Sequence, residues 1–184
     1  MNTLIIHPRD KTTRTLCRLY DDMKDFILIE GGVSNKDIRR ILSRQSHKAP
    51  LYLLGHGSDK GLFYRQDDSS TSFDGTIIDH RHRYYLQDFH GIVAIFCHAD
   101  LWMKSLGLHG LCTSMVISSV EEGLEYGINV EQEVMDKELD TMFTYLRHLI
   151  NSGTAHHLIP QMMSDYCYRK IPLNEFNYNS FRYL

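Results

Sequence analysis

The segments Leu51-Tyr-Leu-Leu-Gly-His-Gly57 and Gly91-Ile-Val-Ala-Ile-Phe-Cys-His98 decide how this chain folds. Each is a short apolar run of strand type that stops abruptly at a reactive side chain, His56 between two glycines in the first and Cys97 in the second. In an open parallel sheet, residues just past the carboxyl ends of neighbouring strands share one crevice. Two such endings therefore bring an imidazole and a thiol to the same place.

Outward from these segments the chain alternates strand and helix signals. Thr3 to His7 reads as a first strand, and Asp10 to Met23 as a helix capped by Asp10 or Thr12. Phe26 to Ile29 is a second strand, Gly31-Gly32 a break, and Ser34 caps a helix running to Arg44. Pro50 introduces the strand from Leu51 to Leu54. Gly61 to Arg65 and Thr76 to Asp79 flank a polar stretch, Gln66 to Gly75, that reads as a hairpin connection or exposed loop. A short helix is expected within Arg81 to Phe89, a strand from Gly91 to Cys97, a helix through Trp102, and a fifth strand from Leu111 or Thr113 to Ser119.

The last third reads as helical. Asn129 to Ile150 carries apolar residues at helical spacing with Gly153 as a stop, and Thr154 to about Arg169 forms another helix. An aromatic tail follows with Phe176, Tyr178, Phe181 and Tyr183, able to dock on the body or to serve a partner. The fold class expected is α/β: one domain over residues 1–184, a three-layer sandwich with a mainly parallel sheet flanked by helices.

Composition sets wide bounds. With 184 residues, 42% of them hydrophobic and 23% charged, the chain can bury a core without staples. A net charge of -3 gives no basic footprint, so nucleic acid is not an expected partner. The apolar run at the start is broken by His7 and Pro8. No membrane partner is expected from it, and the expected location is cytosolic. The spacings of Cys17, Cys97, Cys112 and Cys167 match neither a compact disulfide framework nor a metal knuckle, so reduced thiols are expected, with Cys17 and Cys112 as packing residues.

An imidazole beside a thiol is the minimum equipment for nucleophilic catalysis, because the base can take the thiol proton. The glycines beside His56 allow a sharp exit from the strand and a close approach of substrate to backbone. The N–H groups of Gly57 and Cys97 are the expected oxyanion donors. Ser118 and Ser119, at the polar end of the fifth strand, point toward the same crevice as substrate-binding candidates. His80 and His82, read as lying on one side of a strand, raise the question of a metal together with His90 and His98. No H-E-x-x-H spacing accompanies them and no second cysteine is near, so neither metal nor cofactor is expected.

An apolar strand running into a His-Gly pair, then a later apolar strand running into a cysteine, resembles the caspase-like cysteine peptidases. That group includes caspases, metacaspases, gingipains, legumain, separase and the bacterial CHAT-domain peptidases. The turn at Gly107 to Gly110 and the strand from Leu111 to Ser119 are similar to the CHAT pattern, and the resemblance covers roughly residues 1–150. It implies a caspase-like fold, His56 as general base, Cys97 as nucleophile, and hydrolysis of a protein or peptide substrate through an acyl-enzyme. The chain departs from the caspase signature Gln-Ala-Cys-x-Gly, having Ile95-Phe96-Cys97-His98-Ala99, and its His-to-Cys separation of 41 is under the usual ~50. In relatives that cleave after basic residues an acidic side chain lines the primary pocket. Asp10 is the residue available here for that role, and helix capping is its other reading. A second function class stays open, a catalytically silent module of this fold that binds a regulatory protein partner.

Overall fold

The computed structural model describes every residue except Met1, Arg9, Asp68, Ser69, Thr71, Tyr168 and Arg169. Its first half runs β1 (Thr3–Ile6), a 3-10 helix (Lys11–Leu19), β2 (Phe26–Ile29), α1 (Asn35–Arg44), β3 (Leu51–Leu54), β4 (Gly57–Ser58), β5 (Gly61–Tyr64) and β6 (Gly75–Asp79). A 3-10 turn (His80–His82), α2 (Arg83–Leu86), β7 (Ile92–Ile95), α3 (Ala99–Leu106) and β8 (Gly110–Thr113) follow. The chain closes with α4 (Val120–Glu125), α5 (Gln132–Asn151), a 3-10 turn (His156–Leu158), α6 (Ile159–Tyr166), α7 (Pro172–Tyr178) and β9 (Phe181–Tyr183).

The main sheet has the order β2-β1-β3-β7-β8-β9, parallel throughout except for β9 at the edge. Because side chains alternate along a strand, each strand feeds both faces. Ile5, Tyr52, Val93 and Leu111 stand in register across one face, which packs against the Lys11–Leu19 helix and α5, α6 and α7. Ile6, Leu53, Ala94 and Cys112 stand in register on the other, against α1, α2, α3 and the β5–β6 hairpin. Burial on both faces is why these strands read as unbroken apolar runs. The result is the expected α/β architecture with a helical layer on each side of a mostly parallel sheet.

Several elements differ from expectation for identifiable reasons. The helix after β1 is a 3-10 helix, and its buried residues Thr13, Leu16 and Leu19 recur every third position, the repeat such a helix requires. The fifth strand ends at Thr113 rather than Ser119. Val116 and Ile117 stay buried, but their backbone leaves the ladder. Asn177 takes its place, accepting from the Ile117 N–H at 2.8 Å and donating to the Ile117 carbonyl at 3.0 Å. Apolar content thus reported burial there, not pairing.

The aromatic tail is no loose tail. It forms α7 and then β9, which pairs antiparallel with β8 through Leu111 and Tyr183 and buries Tyr178 and Phe181. His80 and His82 sit on a 3-10 turn instead of a strand, with His82 fully buried and its Nδ1 accepting from the Asp79 N–H. Asp68, Ser69 and Thr71 of the loop expected over Gln66 to Gly75, and the Arg169 end of the helix expected from Thr154, lie outside the described residues.

Candidate active site

β3 and β7 are adjacent and pair in register through Leu54 and Ile95, and the Gly55 N–H donates to the Ile95 carbonyl at 3.1 Å. His56 and Cys97 each stand two residues beyond that last pair, so equal overhang brings them to the same end of the sheet. Both line one small cavity of about 30 Å3, closed by Leu16, Phe96, Val116 and Phe143. It opens beside a groove of about 1050 Å3 between the Lys11–Leu19 helix and the α4–α5 region, and Thr12, Thr15 and Ser118 border both.

The glycines around His56 have separate causes. Gly55 has φ +136, a conformation that favours glycine, and it lines the cavity. At Gly57 a Cβ would lie 2.3 Å from Phe96 Cδ2 and 2.6 Å from the Gly61 carbonyl oxygen, so packing alone demands glycine there. Gly57 begins the β4–β5 pairing opposite Leu62 and lies past the cavity wall, while Cys97 is in it. Of the two residues expected to supply oxyanion donors, Cys97 lines the cavity and Gly57 does not.

Cys97 sits on a tight strand-to-helix turn. His98 adopts φ 60, the one positive φ among the described non-glycine residues, and caps α3. Its N–H donates to the Ser114 carbonyl at 2.5 Å, and Thr113 Oγ1 donates to the Phe96 carbonyl at 3.0 Å, which fixes the turn against β8. The thiol is pushed up to about 11, first by burial and then by the carboxylate of Glu122, against the opposing pull of the Val116 and Cys97 N–H groups. Burial and the Glu122 charge thus both favour the neutral form of the Cys97 thiol.

His56 is tied on its other side. Its Nε2 is 2.7 Å from Thr12 Oγ1 and 3.6 Å from Asp10 Oδ1, and its side chain is 18% exposed. Asp10 caps the 3-10 helix by accepting from the Thr12 N–H at 2.8 Å. Its second oxygen lies 2.8 Å from Arg65 Nε, though the N–H does not point along that line, so the pairing is one of charge more than of a directed hydrogen bond. Burial works against charge on Asp10, yet the bonds from His56 and Thr12 hold its carboxyl well below the usual carboxylate range. Phe73 covers the group, its ring 5.3 Å from that of His56 and 4.3 Å below the Arg65 guanidinium.

Asp10 therefore meets His56, Thr12 and Arg65 of its own chain in place of open solvent. Ser118 lies in the cavity wall, with its N–H and hydroxyl donating to Glu122 Oε2 at 2.9 and 3.2 Å. Ser119 borders the groove and caps α4 by accepting from the Glu122 N–H. Thr12, Arg65, Phe73 and Val116 were not foreseen as site residues. Thr12 is within reach as a cap candidate beside Asp10, whereas Arg65 and Phe73 belong to the hairpin expected around Gln66 to Gly75, and only tertiary packing brings that hairpin to His56. Among the described residues no group of three or more His, Cys, Asp or Glu is placed to hold a metal, and no helix is long and apolar enough to cross a membrane.

Comparison with known proteins finds no matching family model, no matching curated protein and no matching solved structure.

Proposed function

We propose that this chain is a cysteine endopeptidase in which His56 and Cys97 act as base and nucleophile. The observation that supports it is their equal overhang from adjacent parallel strands into one cavity beside a groove of about 1050 Å3. The groove suits a polypeptide better than an apolar ligand, since Lys11, Arg14, Glu121, Asp136 and Lys137 border it. Because the neutral form of the thiol is favoured, His56 acts as a general base during attack and not through a preformed ion pair. The Cys97 sulfur bonds to the scissile carbonyl carbon as its proton passes to His56. The C–N bond then breaks as the leaving amine takes that proton. Water, deprotonated by His56, hydrolyses the thioester and restores the thiol. The N–H of Cys97, a residue of the cavity wall, serves the developing oxyanion.

Basic side chains at the cleavage position would reach Asp10 only by displacing Arg65. A second reading is a silent module that binds a partner protein. It is favoured by the raised Cys97 thiol. Incubation with peptidyl acyloxymethyl ketones carrying Arg, Lys, Asp or Leu next to the reactive group, followed by intact-mass analysis, separates the two. The peptidase reading expects one adduct, lost in Cys97→Ala. No adduct with any of the four probes supports the silent module.

A further inference from the structure

Asp10, Thr12 and His56 form a chain of contacts whose proton count has one solution. Asp10 is ionised and can only accept. Thr12 Oγ1 donates its single proton to Asp10 Oδ1 at 2.5 Å, so toward His56, 2.7 Å away, it has only a lone pair to offer. His56 Nε2 must then carry the proton. In a neutral imidazole this leaves the lone pair on Nδ1.

We infer that Asp10 and Thr12 are positioning residues that fix the tautomer of His56 and reserve Nδ1 as the base for Cys97. This rests on the proposed pairing of His56 with Cys97. No proton needs to travel along the relay. When Nδ1 takes the thiol proton, the imidazolium keeps its Nε2–H bond to Thr12 and has the Asp10 carboxylate 3.6 Å away. Arg65 pairs with the same carboxylate from the hairpin, His7 is near enough to interact electrostatically with the ring, and Cys97 shares its cavity.

The plain alternative is that Asp10 and Thr12 merely start the 3-10 helix. Substitution separates the two roles, because Asn caps as well as Asp but carries no charge, and Val matches the shape of Thr without its hydroxyl. The experiment measures Cys97 alkylation by iodoacetamide against pH in the full chain, with thermal melting alongside. Asp10→Asn and Thr12→Val are expected to slow labelling at neutral pH about tenfold and to move the rate-versus-pH curve upward. Thr12→Ser keeps the hydroxyl and should restore both rate and curve. Wild-type rates in Asp10→Asn and Thr12→Val, with labelling lost in His56→Ala, overturn the relay and leave the pair standing. Wild-type rates in all three, His56→Ala included, overturn the pair and the relay with it.

Discussion

Behind the site, His7 is 5% exposed, with Nδ1 2.9 Å from the Tyr20 hydroxyl and Nε2 3.2 Å from Thr13 Oγ1. Burial lowers it from 6.5 to about 4, so the folded chain holds this ring neutral where the unfolded chain protonates it. A depressed pKa gives stability that is whole above 6.5 and drains away as pH falls toward 4. Over that window the loss from His7 is roughly 3 kcal/mol, at about 1.4 kcal/mol per unit. His82, lowered by burial as well, adds to it in the same direction. Denaturant melts at successive pH values should therefore show stability falling on the acid side. His7→Gln, which keeps a polar group between Tyr20 and Thr13, should flatten that limb. An unchanged acid slope in the variant would mean that His7 is protonated without cost.

At the scale of elements, β9 shows what the last residues of the chain do. Phe181 is 2% exposed against the α5–α7 side of the sheet, and Tyr183 pairs with Leu111. Phe181→Ala should cost about 3–5 kcal/mol in a chemical melt, as for other buried aromatics, whereas a tail held only by a partner would lose less than about 1 kcal/mol. The contrast also explains which elements could be read directly. β1 and β3 match their apolar runs closely because burial on both faces leaves a dense local signal, β2 keeps its apolar run at the sheet edge although Ile27 is exposed, and Ser34 marks its helix by capping. β8 stopped early because Asn177, sixty residues on, supplies the bonds a neighbouring strand would have made. β9 was hidden because three residues after a short helix carry too little periodicity to separate a strand from a tail. His80 and His82 were misread because the Asp79 cap, which bends the chain into a turn there, looks like the end of a strand pattern.

Across the whole molecule, the position of the candidate site was legible because it needs only two facts, that Leu51–Leu54 and Ile92–Ile95 are strands and that they are neighbours. Its inner wiring was not legible. Thr12, Arg65 and Phe73 converge on His56 and Asp10 from the 3-10 helix and from the hairpin, and the distances that matter are set by tertiary packing. Asp10 shows the difference best, since the sequence offered it as a pocket acid or a cap and the fold gives it a cap, a relay and an internal cation together. The central claim is that His56 governs the reactivity of Cys97, and timed alkylation of the four cysteines with peptide mapping tests it most directly. Cys17 and Cys167 are half-buried like Cys97 and serve as internal standards, while Cys112 is buried. The account predicts that Cys97 labels faster than Cys17 and Cys167 at neutral pH, and that His56→Ala removes this advantage without changing the other two. Labelling of Cys97 no faster than its half-buried counterparts, or an advantage that survives His56→Ala, would contradict it.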